Sequence, residues 1–153
     1  MKRAYYSSSI TNFLIDPEFK IIGELASNHS NRTLEELQIN AWKKQIQILK
    51  DQLKGMDGEI YFEFSIPRMG KRVDNILIMH DVAFIIEFKV GDSNYSKNAI
   101  EQVIDYTVDL KNFHEGSHDN RLIPVLVATN ASKIEISKAE VLNLSSVVKA
   151  NSE

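Results

Sequence analysis

The spacing of apolar residues changes in the middle of the chain, and this change separates a predicted helix from predicted strands. Across residues 33–54, apolar positions recur every three to four residues, the period of one helix face. Residues 60–66 instead alternate between apolar and more polar side chains, as a strand does. Two more apolar runs follow at 73–79 and 82–90, joined by hairpin-length connections. We therefore predict a helix followed by a three-strand antiparallel meander.

The predicted strands differ in which faces they bury. In the first strand the even-numbered residues are all apolar, whereas Tyr61, Glu63 and Ser65 occupy the odd positions. Since successive side chains point to opposite faces, we expect residues 60, 62, 64 and 66 to share one buried face. The strand at 82–90 is apolar at both odd and even positions. This pattern favours a central strand that is covered on both sides.

Further elements flank this meander on both sides. A short helix at 10–15 is expected after Ser9, and another is expected with Pro17 at its first position. A second amphipathic helix is predicted at 97–113. The apolar run 122–128 predicts a strand in which Pro124 marks an end or a bulge, and 141–148 predicts one more strand.

The order of elements predicts an α/β (α+β) fold, with an α-β-β-β-α-β core and a central mixed sheet flanked by helices. We expect one domain over 1–153, divided into an N-terminal helical extension at 1–32, a core at 33–129 and a C-terminal strand region at 130–153. Residues Asn151, Ser152 and Glu153 resemble the first turn of a helix. We therefore expect the chain to continue into a further domain.

Composition excludes several classes of protein. The chain has 153 residues and no cysteine, which excludes disulfide scaffolds, thiolate metal sites and a cysteine nucleophile. It has neither an apolar run long enough to span a bilayer nor a secretory signal, so we expect a cytoplasmic protein without membrane contact. The net charge of −3 argues mildly against nucleic-acid binding, and any such binding must rely on local basic clusters.

The strongest candidate chemistry lies on the second and third predicted strands. Asp74 is followed thirteen residues later by Glu87, and Lys89 shares the face of Glu87 because the two are two apart. Ordinary hairpin pairing brings Asp74 beside Glu87, which gives hard oxygen ligands for Mg²⁺ or Mn²⁺. An ordinary surface ion pair is the alternative. Placing these charges in an apolar strand costs several kcal/mol unless they are paired or metal-bound, which favours a functional site.

Two further acids allow two interpretations each. Glu63 is either a third carboxylate of the site or a surface residue of an edge strand. Glu36 is either an upstream acid of the site or the partner of Thr33 in a capping box, S/T-x-x-E. The capping box explains Glu36 completely, so we favour that interpretation.

Basic and polar side chains surround the candidate site in sequence. Arg68, Lys71 and Arg72 precede Asp74 and are candidate ligands for phosphates that flank a scissile bond; solubility is the alternative explanation. Gln102 and Tyr106 lie four apart on the second amphipathic helix, and they either reach the site or form a half-buried flank. We assign no role to the four histidines, which lie mostly in predicted loops.

This arrangement of acids, Glu-x-Lys and a helical Gln-x-x-x-Tyr resembles the PD-(D/E)XK nuclease superfamily, which has a restriction-endonuclease-like core. The resemblance covers roughly residues 33–129. It implies that Asp74 and Glu87 are metal ligands, that Lys89 is the catalytic lysine, and that Glu63 and Gln102 support the site. The superfamily's helix glutamate has no clear match, since Gln38 occupies that face. The positions that carry the resemblance are Glu63, Asp74, Glu87, Lys89, Gln102 and Tyr106.

A second resemblance spans nearly the whole chain. The segments IPRMGKRVD, EFKVG, AIEQVIDYTVDLKNFH and IPVLVAT are similar to the N-terminal nuclease-like domain of bacterial and phage proteins. Those proteins continue into a Schlafen-like P-loop ATPase or helicase. The resemblance implies a similar downstream domain in the full-length protein.

We therefore expect a magnesium-dependent endo- or exodeoxyribonuclease domain that acts on DNA together with an attached ATPase or helicase. Nucleases of this fold often form homodimers, so we also expect that this domain is able to form one. Two alternatives stay open. One is a catalytically inactive nuclease-fold module that binds nucleic acid or regulates the ATPase, and the other is a protein–protein interaction domain.

Overall fold

A computed structural model of the protein describes residues 3–29, 35–113, 121–130 and 148–150. The elements in chain order are β1 (Tyr6–Ser9), α1 (Ile10–Ile15), α2 (Glu18–Asn28), α3 (Glu36–Gln52), β2 (Glu59–Ile66), β3 (Lys71–Met79), β4 (Val82–Lys89), α4 (Lys97–Phe113), β5 (Arg121–Ala128) and β6 (Val148–Ala150). No helix within these ranges is long and apolar enough to cross a membrane.

The strands form one mixed sheet in the described part of the chain. Its order is β1-β2-β3-β4-β5-β6, so every strand neighbours the one before it in sequence. The pairs from β1 to β4 are antiparallel, whereas β4–β5 and β5–β6 are parallel. The long helix α4 makes the crossover that a parallel β4–β5 pair requires. The α/β class and the α-β-β-β-α-β core predicted from the sequence are thereby confirmed.

Helices cover the sheet on both faces and create two apolar layers. One layer packs α1, α2 and α3 against the sheet around the fully buried Phe13 and Trp42. The other packs α4 against the opposite face around Val103 and Leu110. Because each large apolar side chain that is fully buried stabilises the fold by about 1.5–3 kcal/mol, both layers hold β3 and β4 firmly. The two-sided burial predicted for β4 is present.

The prediction that one face of β2 carries residues 60, 62, 64 and 66 is wrong. Ile60 and Phe62 pack in the layer of α1–α3, whereas Phe64 and Ile66 pack in the α4 layer. The reason is the backbone of Glu63, which has φ 53 and so turns the following residues over. Consistent with this, the ring of Tyr61 lies edge-to-face at 5.7 Å from that of Phe64, three residues away.

Helix starts agree with the sequence to within a few residues. Ser9 caps α1, since its Oγ accepts a hydrogen bond from the backbone N–H of Asn12 at 3.1 Å. Pro17 is the N-cap of α2 rather than its first helical residue. Helix α3 begins at Glu36 with Glu35 as N-cap, so Glu36 is not the third residue after a cap. Thr33, the other member of the expected capping box, lies outside the described residues.

Pro124 neither ends nor bulges its strand, contrary to the prediction. It lies inside β5, opposite Ile85 of β4. The N–H of Arg121 points toward β4, where it donates to the carbonyl of Asp81. By alternation the nitrogen of Pro124 faces away from β4, and the described β6 pairs begin only at Val125. Proline has no backbone N–H, but at this position no hydrogen bond between the described parts of β4, β5 and β6 is lost. Most of the strand expected at 141–148 and the predicted helix start at 151–153 lie outside the described residues.

Candidate active site

The β3–β4 ladder opens at Asp74, and side chains replace the missing backbone pairing. The ladder runs from Met79–Val82 to Asn75–Ile86, and the same register places Asp74 opposite Glu87. There the backbone N–H of Asp74 donates to Glu87 Oε1 at 2.9 Å, and that of Phe88 donates to Asp74 Oδ2 at 2.8 Å. These reciprocal bonds fix both carboxyl groups side by side. The structure thus brings together the two predicted metal ligands.

Burial makes the ionised form of this pair costly. Loss of solvent raises the pKa of Asp74 to about 7 and that of Glu87 to about 9. The Asp74 carboxylate raises the pKa of Glu87 further, whereas the N–H of Phe88 opposes the rise at Asp74. Glu87 is 5% exposed and Asp74 is half-buried. Near neutral pH the pair therefore retains a proton unless a cation takes its place.

Helix α4 orients Lys89 through a short chain of polar contacts. Lys89 Nζ donates to Gln102 Oε1 at 2.9 Å, and Gln102 Nε2 donates to the hydroxyl oxygen of Tyr106 at 2.7 Å. Tyr106 is buried, and this burial raises its pKa. The charges of Glu87 and Asp74 raise the pKa of Tyr106 as well, which puts its hydroxyl within their electrostatic reach. All of these polar residues therefore gather on the α4 side of the sheet.

The three basic residues expected to bind phosphates do not form one patch. Lys71 Nζ lies 5.9 Å from the centre of the Tyr106 ring, next to the polar chain on α4. Arg68 is exposed on the turn between β2 and β3. Arg72 is engaged elsewhere: its Nη1 donates to the carbonyl of Glu63 at 2.7 Å, and its guanidinium stacks 4.0 Å from the Tyr5 ring centre. The alternation of β3 thus separates Lys71 from Arg72.

Glu63 lies close to the pair but is held from another direction. The indole N–H of Trp42 on α3 donates to Glu63 Oε1 at 3.1 Å. Burial raises the pKa of Glu63, and its negative charge in turn raises the pKa values of Asp74 and Glu87. Within the described ranges, no three His, Asp or Glu side chains converge so as to hold a metal. Glu63 therefore lies near the pair, and its side chain is bound to Trp42.

Trp42 is the residue that sequence reasoning missed. In sequence it lies beside the apolar stripe of the helix at 33–54, and in the structure it is fully buried. A buried tryptophan usually satisfies its N–H with a partner. That rule points to an acceptor across the layer, although it does not identify Glu63 as the acceptor. Glu36, which was considered as an upstream acid of the site, is exposed at the start of the same helix.

Comparison with solved structures finds a crystal structure of a repair endonuclease from Pyrococcus abyssi, at 19% identity and a TM-score of 0.41. The alignment covers 69% of this chain and 42% of the endonuclease, so it spans less than half of that protein. No protein-family model matches the chain, and no curated protein matches it significantly. A likeness this weak carries no argument about this chain, and the interpretation of the site rests on its own geometry.

Proposed function

We propose that this domain hydrolyses phosphodiester bonds in DNA and that Asp74 and Glu87 hold a magnesium or manganese ion for this reaction. The observation that carries the proposal is that the Asp74 and Glu87 carboxyl groups each accept a backbone N–H from the facing strand where β3 and β4 separate. A pair of acids placed this way is expensive without a counter-charge. Lys89 lies on the same strand face as Glu87, which adds the cationic group that phosphoryl chemistry needs.

The donor set fits the proposed ion. Two carboxylates are hard oxygen ligands, which magnesium prefers, and it commonly uses one or two of them with waters and phosphate oxygens. Each carboxylate uses one oxygen to accept a backbone N–H. A bound magnesium ion supplies a Lewis acid that polarises a phosphoryl oxygen and lowers the pKa of a bound water.

Lys89 has a distinct role in the proposal. Its ammonium group is directed by Gln102, and Gln102 is directed in turn by Tyr106. A cation fixed in this way stabilises negative charge that develops on the phosphate in the transition state. Gln102 and Tyr106 keep Lys89 in place before the substrate arrives, so little reorganisation is needed during the reaction.

Lys71 and Arg68 are the proposed contacts to the phosphates that flank the scissile bond. Lys71 lies three strand residues from Asp74, which corresponds to about 10 Å. That distance is about three nucleotide steps along the axis of a DNA strand, at roughly 3.4 Å each. Arg72 is not part of this contact, because its guanidinium is already bound to Glu63 and stacked on Tyr5.

A wider proposal rests on the sequence resemblance alone. We infer that the domain operates with a downstream Schlafen-like P-loop ATPase or helicase, in a cytoplasmic protein that is able to dimerise. The alternative, an inactive nuclease-fold module that binds nucleic acid or regulates that ATPase, requires the same fold and the same basic residues. Cleavage separates the two hypotheses, because the inactive module binds DNA without cutting it.

The test is a cleavage assay with the 153-residue protein, end-labelled single- and double-stranded DNA, and Mg²⁺ or Mn²⁺. We expect metal-dependent cutting that disappears in Lys89→Ala and Asp74→Asn. Lys43→Ala, which removes an exposed lysine of α3, is the matched control and should cut like the wild type. Metal-independent DNA binding without any cutting by the wild type would instead support the inactive module.

A further inference from the structure

Glu63 has a backbone conformation that its position in a strand does not explain. Its φ of 53 lies in the left-handed region, which non-glycine residues rarely adopt. The other described non-glycine residues with positive φ, Arg68 and His80, lie in the turns on either side of β3. Glu63 by contrast lies inside β2. Strained backbone of this kind persists only where the surroundings enforce it, and it concentrates at functional sites.

Two separate contacts enforce this conformation. Trp42 binds the side chain of Glu63 through the indole N–H, and Arg72 binds its carbonyl oxygen at 2.7 Å. Arg72 is itself held over the Tyr5 ring, and its Nη1 also reaches the carbonyl of Arg3 at 3.4 Å. The clamp therefore joins α3, β3 and the segment before β1 to a single residue of β2.

The consequence of the left-handed residue falls on Asp74. The β2–β3 ladder stops at Phe62–Asn75 and resumes at Phe64–Val73 in the same register. That register puts Glu63 opposite Asp74, and this is the one position at which the pairing is absent inside the β2–β3 ladder. The β3–β4 ladder is open at Asp74 as well. Asp74 is thus released from strand pairing on both sides, and its N–H binds Glu87 instead.

We propose that Glu63 is a positioning residue for Asp74. Its left-handed backbone, clamped by Trp42 and Arg72, opens the β2–β3 ladder and lets the Asp74 carboxyl group settle against Glu87. The backbone of Glu63 performs this role, and its carboxylate serves to anchor that backbone to Trp42. Arg72 is accordingly part of the site's support and not of a nucleic-acid surface. The metal-binding consequence rests on the proposed function, whereas the geometric part does not.

The test contrasts two replacements of Glu63. Glu63→Gly removes the carboxylate but tolerates positive φ, whereas the β-branched side chain in Glu63→Val disfavours it. Isothermal titration with Mn²⁺ should give a dissociation constant within about threefold of wild type for the glycine variant. For the valine variant we expect it to rise by about 10-fold or more, as is typical when a support of a metal ligand is lost. Glu59→Val, an exposed glutamate at the start of the same strand, is the control.

A second readout is independent of metal and of activity. Amide chemical shifts of Asp74 and Phe88 in ¹⁵N spectra report their hydrogen bonds to the two carboxyl groups. We expect these shifts to move in Glu63→Val and to stay near wild type in Glu63→Gly. If the wild type binds no Mn²⁺, the proposed metal site fails while the amide shifts still decide the role of Glu63.

Two outcomes would overturn the inference. Amide shifts that stay near wild type in both variants mean that the backbone of Glu63 does not position Asp74. Amide shifts that move as far in the glycine variant as in the valine variant assign the role to the carboxylate. Should Glu63→Val fail to fold, Arg72→Met takes its place, because it keeps an apolar stem near Tyr5 and removes the donor to Glu63. Unchanged amide shifts in a folded Arg72→Met would then contradict the clamp.

Discussion

The two ends of the β3–β4 hairpin are held together by different interactions. Near the turn, from Met79–Val82 to Asn75–Ile86, backbone pairs follow each other without interruption and Ile85 is buried. At the far end, the Glu87 carboxyl group accepts the backbone N–H of Asp74, the Asp74 carboxyl group accepts that of Phe88, and acidic groups occupy the positions of apolar ones. The first end gains stability from burial, and the second holds charges at a cost. The well-packed end of the hairpin therefore gives the acid pair a rigid support.

The largest expected effect is a loss of cleavage activity when the acid pair at the far end of the hairpin is changed. Asp74→Asn removes one of the two carboxylates while preserving shape and the ability to accept the Phe88 N–H. We expect cleavage to fall about 10³-fold, which corresponds to about 4 kcal/mol of transition-state stabilisation. Single-turnover cleavage rates measure it. A variant that retains more than a tenth of wild-type activity would contradict the assignment.

A substitution at the end near the turn should lower the stability of the fold and leave metal binding unchanged. Ile85→Ala truncates a side chain that is 1% exposed in the α4 layer. Loss of burial and the resulting cavity should lower the free energy of unfolding by about 3 kcal/mol. Urea denaturation measures the loss, and Mn²⁺ titration of the folded variant should give wild-type affinity. A loss below about 1 kcal/mol would mean that this end is less tightly packed than described.

The pH dependence of stability sharpens the same contrast. Asp74 and Glu87 have raised pKa values when folded, about 7 and about 9, against ordinary values near 4 when unfolded. The folded state therefore binds more protons than the unfolded state in this range. The stabilising contribution of the protonated pair is complete below about pH 4 and is lost as pH rises through 7 and 9.

Replacing both acids should remove this dependence. Without divalent metal, we expect Asp74→Asn with Glu87→Gln to be more stable than the wild type at pH 8, by about 2 kcal/mol. The two proteins should converge toward pH 4. Thermal unfolding at both pH values, in metal-free buffer, measures the difference. A double variant that is less stable than the wild type at pH 8 would show that the ionised pair is not costly.

The smallest expected effect concerns DNA affinity. Lys71→Ala should weaken DNA binding by a few-fold and reduce the salt dependence of the binding constant by about one charge. Arg72→Met should leave the salt dependence unchanged, because Arg72 is engaged with Glu63 and Tyr5. Fluorescence anisotropy across a salt series compares the two. A larger change of slope in Arg72→Met would reverse the assignment of these neighbouring residues.

The sequence predicted the elements well because hydrophobic periodicity determines them. Helix α4 and strands β2, β3 and β4 lie within one or two residues of the expected ranges. Alternation also placed Glu87 and Lys89 on one face of β4, where α4 orients the lysine. The prediction that residues 60, 62, 64 and 66 share one face of β2 failed because of one backbone angle, the φ of Glu63. Both faces of the sheet are buried, so the apolar pattern of β2 reads the same whether or not the strand turns over at Glu63.

Other features escaped because they depend on contacts between distant residues. The partner of Glu63 is Trp42, which lies 21 positions away on another layer. Lys71 and Arg72 are adjacent in sequence, yet one faces Tyr106 and the other faces Tyr5. The sequence alone does not distinguish these two basic residues. They differ because successive side chains of a strand point to opposite faces of the sheet. The acceptable position of Pro124 likewise depends on which strand its nitrogen faces.

The most direct test of the account is calorimetric titration of the metal-free protein with Mn²⁺ in two buffers of different ionisation enthalpy, at pH 7. The account predicts one binding event that releases about one proton, because the metal displaces the proton held by the Asp74–Glu87 pair. It also predicts that binding disappears in Glu87→Gln. Absence of binding by the wild type, or equal binding by wild type and Glu87→Gln, would contradict the claim that this pair is a metal site.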